Sequence, residues 1–170
     1  MTPARATLRV LVRSQGANAV NDSTYLSPYA PDRNEHAGQA ALFQWAALQG
    51  ARFPQLERLL YAVPNGGQRD ARTAGMLKAE GTKAGTSDVF LSVPRGRYGA
   101  LIIENKAAGG RLRPDQYAFL EAAALAGNFC AVSTGWECAR DLIKLYLSSE
   151  EYHGLSFYGA LGWPVPERPA

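Results

Sequence analysis

The sequence predicts an α/β domain: a mixed β-sheet with helices on its faces, in the order αβαββαβα. Three observations lead there. Between residues 34 and 147, short apolar runs bounded by Gly, Pro and Asn alternate with longer stretches of helical period. Two of those runs, 88–93 and 100–106, are separated by a turn alone, so the sheet contains an antiparallel hairpin. The chain has 170 residues, 46% hydrophobic and 19% charged, which suits one domain with a sizeable core and argues against global disorder.

In chain order, residues 1–33 read as an N-terminal extension. Arg5, Arg9 and Arg13 stand four apart with no acid before Asp22, a pattern that fits a basic arm or a transit peptide. Residues 18–31 carry Asn, Asp, Ser and Pro and read as a loop. A helix follows from Asp32 or Asn34, either of which can cap it. Leu42, Trp45, Ala46 and Leu48 form its stripe, and Gly50 ends it. Residues 59–63 form a strand stopped by the Pro64-Asn65-Gly66-Gly67 turn. Residues 70–80 form a helix with Gly81 at its C′ position, and 81–87 form a polar loop. After the hairpin, 114–126 form a helix with Pro114 in its first turn and Gly127 beyond it. A strand at 128–133 and a helix at 136–147 complete a domain spanning 34–149, and 150–170 form a C-terminal tail without period.

The net charge of +3 hides an asymmetry. Residues 66–113 hold Arg69, Arg72, Lys78, Lys83, Arg95, Arg97, Lys106, Arg111 and Arg113 against Asp70, Glu80, Asp88 and Glu104, so the segment is +5. Residues 115–170 are −4. A positive stretch of this size fits a surface that meets an anion, and it fits a solvated Arg-rich loop region as well. No apolar run reaches the roughly 18 residues of a membrane span. Cys130 and Cys138 have no disulfide-scaffold or C-x-x-C setting, which points to a reducing, cytoplasmic compartment. His36 and His153 are isolated, and no G-x-x-x-x-G-K-[ST] run exists, so no nucleotide cofactor is expected.

The chemistry concentrates between Asp88 and Lys106. Glu104 and Lys106 lie two apart on a strand and share a face, while Asn105 points away. A hairpin can bring Asp88 beside Glu104. Spacing alone leaves two readings open. One is a charged strand edge in water. The other is a hard, oxygen-only ligand set for Mg²⁺ or Mn²⁺, with a lysine beside it to offset charge on a phosphodiester transition state. The Asn65-Gly66-Gly67-Gln68-Arg69 turn has a similar ambiguity. It is a plain turn, or a Gly-rich backbone that approaches a phosphate at a helix start, with Arg69 and Arg72 adding charge. Arg111 and Arg113 form a second candidate backbone clamp.

Gly85-Thr86-Ser87-Asp88 followed by Ile103-Glu104-Asn105-Lys106 resembles the PD-(D/E)XK nuclease superfamily. The flanking segments narrow the likeness. Val63-Pro64-Asn65-Gly66-Gly67-Gln68-Arg69, then residues 77–85, resemble the virus-type replication-repair nuclease (VRR-NUC) family. So do Glu35-x-x-x-Gln39 with Trp45 and the Gln116 of the helix after E-x-K. The likeness covers about residues 34–147. Ser87 stands where that family usually has Pro, and Asn105 fills the usually apolar position of E-x-K. Ser87 is expected only to relax a backbone constraint.

The resemblance implies a restriction-endonuclease-like fold and a metal-dependent DNA endonuclease. Asp88, Glu104 and the Asn105 backbone carbonyl would hold the metal, and Lys106 would be the catalytic lysine. Glu35 would face the same centre through a metal-bound water or a second metal, with Gln39 and Gln116 approaching it. Asn65, Gly66, Gly67, Arg69, Arg72, Lys83, Arg111 and Arg113 would hold the DNA backbone. The leading expectation is a Holliday-junction resolvase-like enzyme acting on branched DNA in a prokaryotic or phage-infected cell. A toxin or effector DNase and a non-catalytic DNA-binding module are the alternatives. A junction has two-fold symmetry, so a homodimer is expected. Leu155, Phe157, Tyr158, Leu161 and Trp163, with Leu8, Val10 and Val12, offer apolar surface for it.

Overall fold

The apolar runs of the sequence meet in a single sheet. The computed structural model describes residues 7–13, 20–26, 29–64 and 71–148. Among them the strands are β1 (Thr7–Arg13), β2 (Val20–Leu26), β3 (Leu60–Ala62), β4 (Val89–Leu91), β5 (Leu101–Asn105) and β6 (Phe129–Ser133). They lie in the order β2-β1-β6-β5-β4-β3. Only β5 and β6 run parallel; the other pairs are antiparallel, so the sheet is mixed. The helices are α1 (Glu35–Ala47), α2 (Leu56–Leu59), α3 (Ala71–Ala79), α4 (Pro114–Leu125) and α5 (Trp136–Ser148). The parallel pair needs a crossover, and α4 supplies it.

Both faces of the central strands are covered, which is why β5 and β6 are buried at every position. On one face Val89, Leu91, Leu101, Ile103 and Phe129 pack with Leu42 of α1 and with Leu142, Ile143 and Tyr146 of α5. On the other, Ile102, Cys130 and Leu11 pack beneath Leu120 and Ala124 of α4. Each large side chain buried this way contributes about 1.5–3 kcal/mol. Phe129 anchors the first slab between Tyr98 and Tyr146, at ring distances of 5.1 and 6.4 Å.

The N-terminal segment is the main correction. Residues 7–13 and 20–26 are not an extension but two strands of the sheet, with β1 paired to β6. Val10 and Leu11 are 2% and 0% exposed and enter opposite slabs of the core. Burial on both faces gives a near-continuous apolar run rather than an alternating one, and the interleaved arginines disguise it. Val10 therefore belongs to the fold and offers no dimer surface. Arg9 lies over the Tyr117 ring at 5.2 Å, a cation–π contact with α4. The third strand starts one residue later than expected, because Phe53 and Leu56 bury a short helical turn ahead of it. The tail at 150–170 lies outside the described residues. No helix among the described residues is long and apolar enough to cross a membrane.

Candidate active site

The hairpin register decides the geometry. Val89 pairs with Ile103 and Phe90 with Ile102, so Asp88, one step before β4, stands opposite Glu104. The Asn105 N–H donates to Asp88 Oδ2 at 3.0 Å. In an extended residue the N–H and C=O leave by the same edge, so the Asn105 carbonyl also leaves on the Asp88 side.

Glu104 is 0% exposed. Its Oε1 accepts from Lys106 Nζ at 2.7 Å and from Gln116 Nε2. Gln116 is oriented for this: its Oε1 accepts the Arg113 N–H at 3.1 Å, which leaves its amide nitrogen to donate to Glu104. Glu104 Oε2 is buried and receives no hydrogen bond of normal geometry, although the Ser87 hydroxyl is near enough to favour the carboxylate. Burial pushes the Glu104 carboxyl up to about 7, against the Lys106 hydrogen bond and with the Asp88 charge. Burial also raises Asp88, opposed by the Asn105 N–H.

Glu35, the first residue of α1, reaches the same edge. Asn34 caps that helix, accepting the His36 N–H at 2.9 Å. Glu35 Oε1 accepts the Ala107 N–H at 3.0 Å and lies 4.0 Å from Lys106 Nζ. The turn after β5 folds back at Gly110, where a Cβ would lie 3.2 Å from that of Lys106. Lys106 is thereby 8% exposed, with its ammonium between Glu35 and Glu104.

Asp88, Glu104, Lys106, Glu35 and Gln116 thus converge at one end of β5. Gln39 is one turn beyond Glu35 on α1, half-buried, and makes no hydrogen bond to the cluster. Arg113 precedes α4 with an exposed guanidinium paired to Asp115 at 3.1 Å, and it also feels the Glu104 and Asp88 charges. Lys83 and Arg111 are exposed on loops leading to this edge. Asn65, Gly66, Gly67 and Arg69 lie outside the described residues, as does the side chain of Arg72.

Three positions matter more than their residue types suggest. Ser87 is 0% exposed beside Glu104, so it does more than relax the backbone. Gly85 has φ +77°, and a Cβ there would run into the Asp115 carbonyl and the Gln116 N–H. Asp32 bonds Thr134 and Ala108 through its backbone and the Trp136 N–H through its carboxylate, at 2.6, 2.7 and 2.9 Å. The sequence marked Gly85 as part of the loop before Asp88, Ser87 as a relaxed backbone position and Asp32 as a candidate cap of α1; the cap is Asn34, and Asp32 serves α5 instead.

No family model matches the sequence, and no curated protein matches it. Among solved structures, a VRR_NUC domain protein superposes with a TM-score of 0.57 at 25% identity. The match covers 67% of this chain and 88% of that one. In its fold this chain is of the VRR-NUC type.

Proposed function

We propose that the chain is a metal-dependent DNA endonuclease that hydrolyses phosphodiester bonds, with branched DNA as its substrate. The single observation that carries this reading is the cluster at the end of β5, where Asp88 stands opposite Glu104 and Lys106 lies 2.7 Å from Glu104 Oε1. The fold shared with a VRR_NUC domain protein supports it.

The residues fit a divalent cation. Glu104 Oε2 is buried with no hydrogen bond of normal geometry, and burial pushes the carboxyl up to about 7, so a cation beside it would offset the cost of ionising it there. Oxygen from two carboxylates and a backbone carbonyl suits Mg²⁺ or Mn²⁺. Among the described residues no three His, Cys, Asp or Glu side chains cluster tightly enough to form a cage alone. That fits an ion that retains waters and takes further oxygens from phosphate. When bound, the cation supplies Lewis-acid polarisation of the phosphodiester and a more acidic water.

The remaining work falls to the chain. Gln116 fixes the Glu104 carboxylate through Oε1. Lys106, held between Glu35 and Glu104, places a positive charge where negative charge develops on the phosphoryl oxygens. Glu35 orients the Ala107 turn that covers the lysine and can accept a proton from an attacking water. Lys83, Arg111 and Arg113 hold flanking phosphates. Two copies related by a two-fold axis would match the symmetry of a four-way junction.

Incubating the protein with a four-way junction, a flap, a single strand and a duplex, with Mg²⁺, Mn²⁺ or EDTA, tests the proposal. Metal-dependent cleavage favouring the branched substrates is expected. A lack of cleavage on every substrate contradicts it.

A further inference from the structure

Asp88 and Phe90 lie two apart on one strand and share the face that α4 covers, as do Glu104 and Ile102 opposite them. Across β3, Tyr61 is the partner of Phe90 on that same face. The two rings are stacked, with centroids 5.7 Å apart and planes 9° from parallel. Phe90 is held from below by Phe119 of α4, edge-on at 6.2 Å. The Tyr61 hydroxyl lies 3.1 Å from Ser92 Oγ, so the ring is fixed at both ends.

Despite this support, Tyr61 is 43% exposed. It sits on the last strand at this edge of the sheet, and among the described residues no strand lies beyond it to cover the second face of its ring. Helix α4 packs mainly over β1, β2 and β6 and reaches this end through Phe119. A ring already immobilised loses little conformational freedom when a flat ligand stacks on it.

Its position specifies that ligand. Asp88 and Phe90 are about 7 Å apart along the strand, and Tyr61 lies beside Phe90 on the side away from the carboxylates. A DNA strand with its scissile phosphate at Asp88 and Glu104 would therefore carry a nearby base across Tyr61. The faces of paired bases are hidden inside the duplex stack, so only an unpaired or splayed base can use the ring.

We propose that Tyr61, backed by Phe90, is a stacking platform for an unpaired nucleobase one or two nucleotides from the scissile phosphate. The placement of that phosphate rests on the nuclease reading above. The platform gives the protein a means of selecting DNA that is open at the cut site, because intact duplex gains nothing from it.

The test uses the full chain in EDTA with single-stranded DNA carrying a fluorescent adenine analogue, and intact duplex as the comparison. Wild type and Tyr61→Phe should quench the probe. Tyr61→Ala should lose the quenching and bind single strands roughly 5- to 150-fold more weakly, the range of one lost base–aromatic stack, with duplex affinity unchanged. Tyr61→Phe guards against a folding defect, and matched melting curves for all three proteins complete the control. Single-strand affinity and quenching equal to wild type in Tyr61→Ala would overturn the platform, as would absence of quenching by wild type. Cleavage by wild type with Mg²⁺ is read separately. Quenching that depends on Tyr61 in a protein that never cleaves would sustain the platform and remove the nuclease reading. Cleavage by a protein whose quenching and single-strand affinity do not depend on Tyr61 would do the reverse.

Discussion

The Asp32 carboxylate occupies the space that a Cβ at position 38 would need, so Gly38 and Asp32 are matched. Gly38 is buried at the end of the first turn of α1. Its missing side chain lets Asp32 reach the Trp136 N–H at the start of α5 while its backbone holds Thr134 and Ala108. Helix α1 is thereby fixed against the turn after β5, where Glu35 meets the Ala107 N–H.

Gly38→Ala should destabilise the protein by about 1–2 kcal/mol, although alanine is the better helix former, because Asp32 must give up its cap on α5. With Asp32→Ala already present, the same change should be neutral or stabilise by up to about 1 kcal/mol. Urea unfolding of the four proteins checks this. Additive effects would mean that the two positions do not conflict.

Gly85→Ala should be more damaging. The positive φ strains any other residue, and the added carbon meets backbone rather than a movable side chain. The start of α4 must shift, and Gln116 with it. A loss of about 2–3 kcal/mol and a weaker Gln116 bond to Glu104 are expected. A melting temperature equal to wild type would show that the loop yields freely.

Stability without metal should fall as pH rises. An unfolded Glu104 loses its proton near 4.5, but the folded one keeps it up to about 7, so the folded state binds the extra proton across that window. The loss is on the order of 1–3 kcal/mol, and burial of Asp88 and Asp32 acts in the same direction. Glu104→Gln should flatten the dependence. Mg²⁺ or Mn²⁺ should raise the melting temperature more at pH 8 than at pH 5.5, since ligation needs the carboxylate. An equal shift at both pH values would place the ion elsewhere.

The hairpin and its carboxylates were legible because a tight turn and strand alternation fix a register from sequence alone. The loop before Asp88, the role of the E-x-K strand and Gln116 were legible only through the likeness to the VRR-NUC family, because spacing alone fits a solvated strand edge equally well. β1 was hidden because it is buried on both faces and its arginines imitate a basic arm. The role of Asp32 was hidden because its partner lies far along the chain: Trp136 is 104 residues away. No local period records such a contact.

Asn105 lies 7% exposed with its side-chain nitrogen unpartnered. Replacing a buried, unsatisfied amide by an apolar group removes a desolvation cost. Asn105→Val should therefore leave stability unchanged or raise it by about 1 kcal/mol, and it should keep DNA cleavage, because only the backbone of this residue faces Asp88. Thermal unfolding beside a cleavage assay checks both halves. A large destabilisation would show that the amide has a structural partner.

The most direct measurement is single-turnover cleavage of a four-way junction by wild type, Asp88→Asn, Glu104→Gln and Lys106→Ala, each shown to be folded, with Mg²⁺ and with EDTA. Each substitution should slow cleavage by at least about 100-fold, the scale of one lost electrostatic contact to a transition state, and EDTA should stop wild type. Lys106→Ala should still bind the junction to within a few-fold. Wild-type turnover in any of the three, or cutting that survives EDTA, would contradict a metal-dependent site at the end of β5.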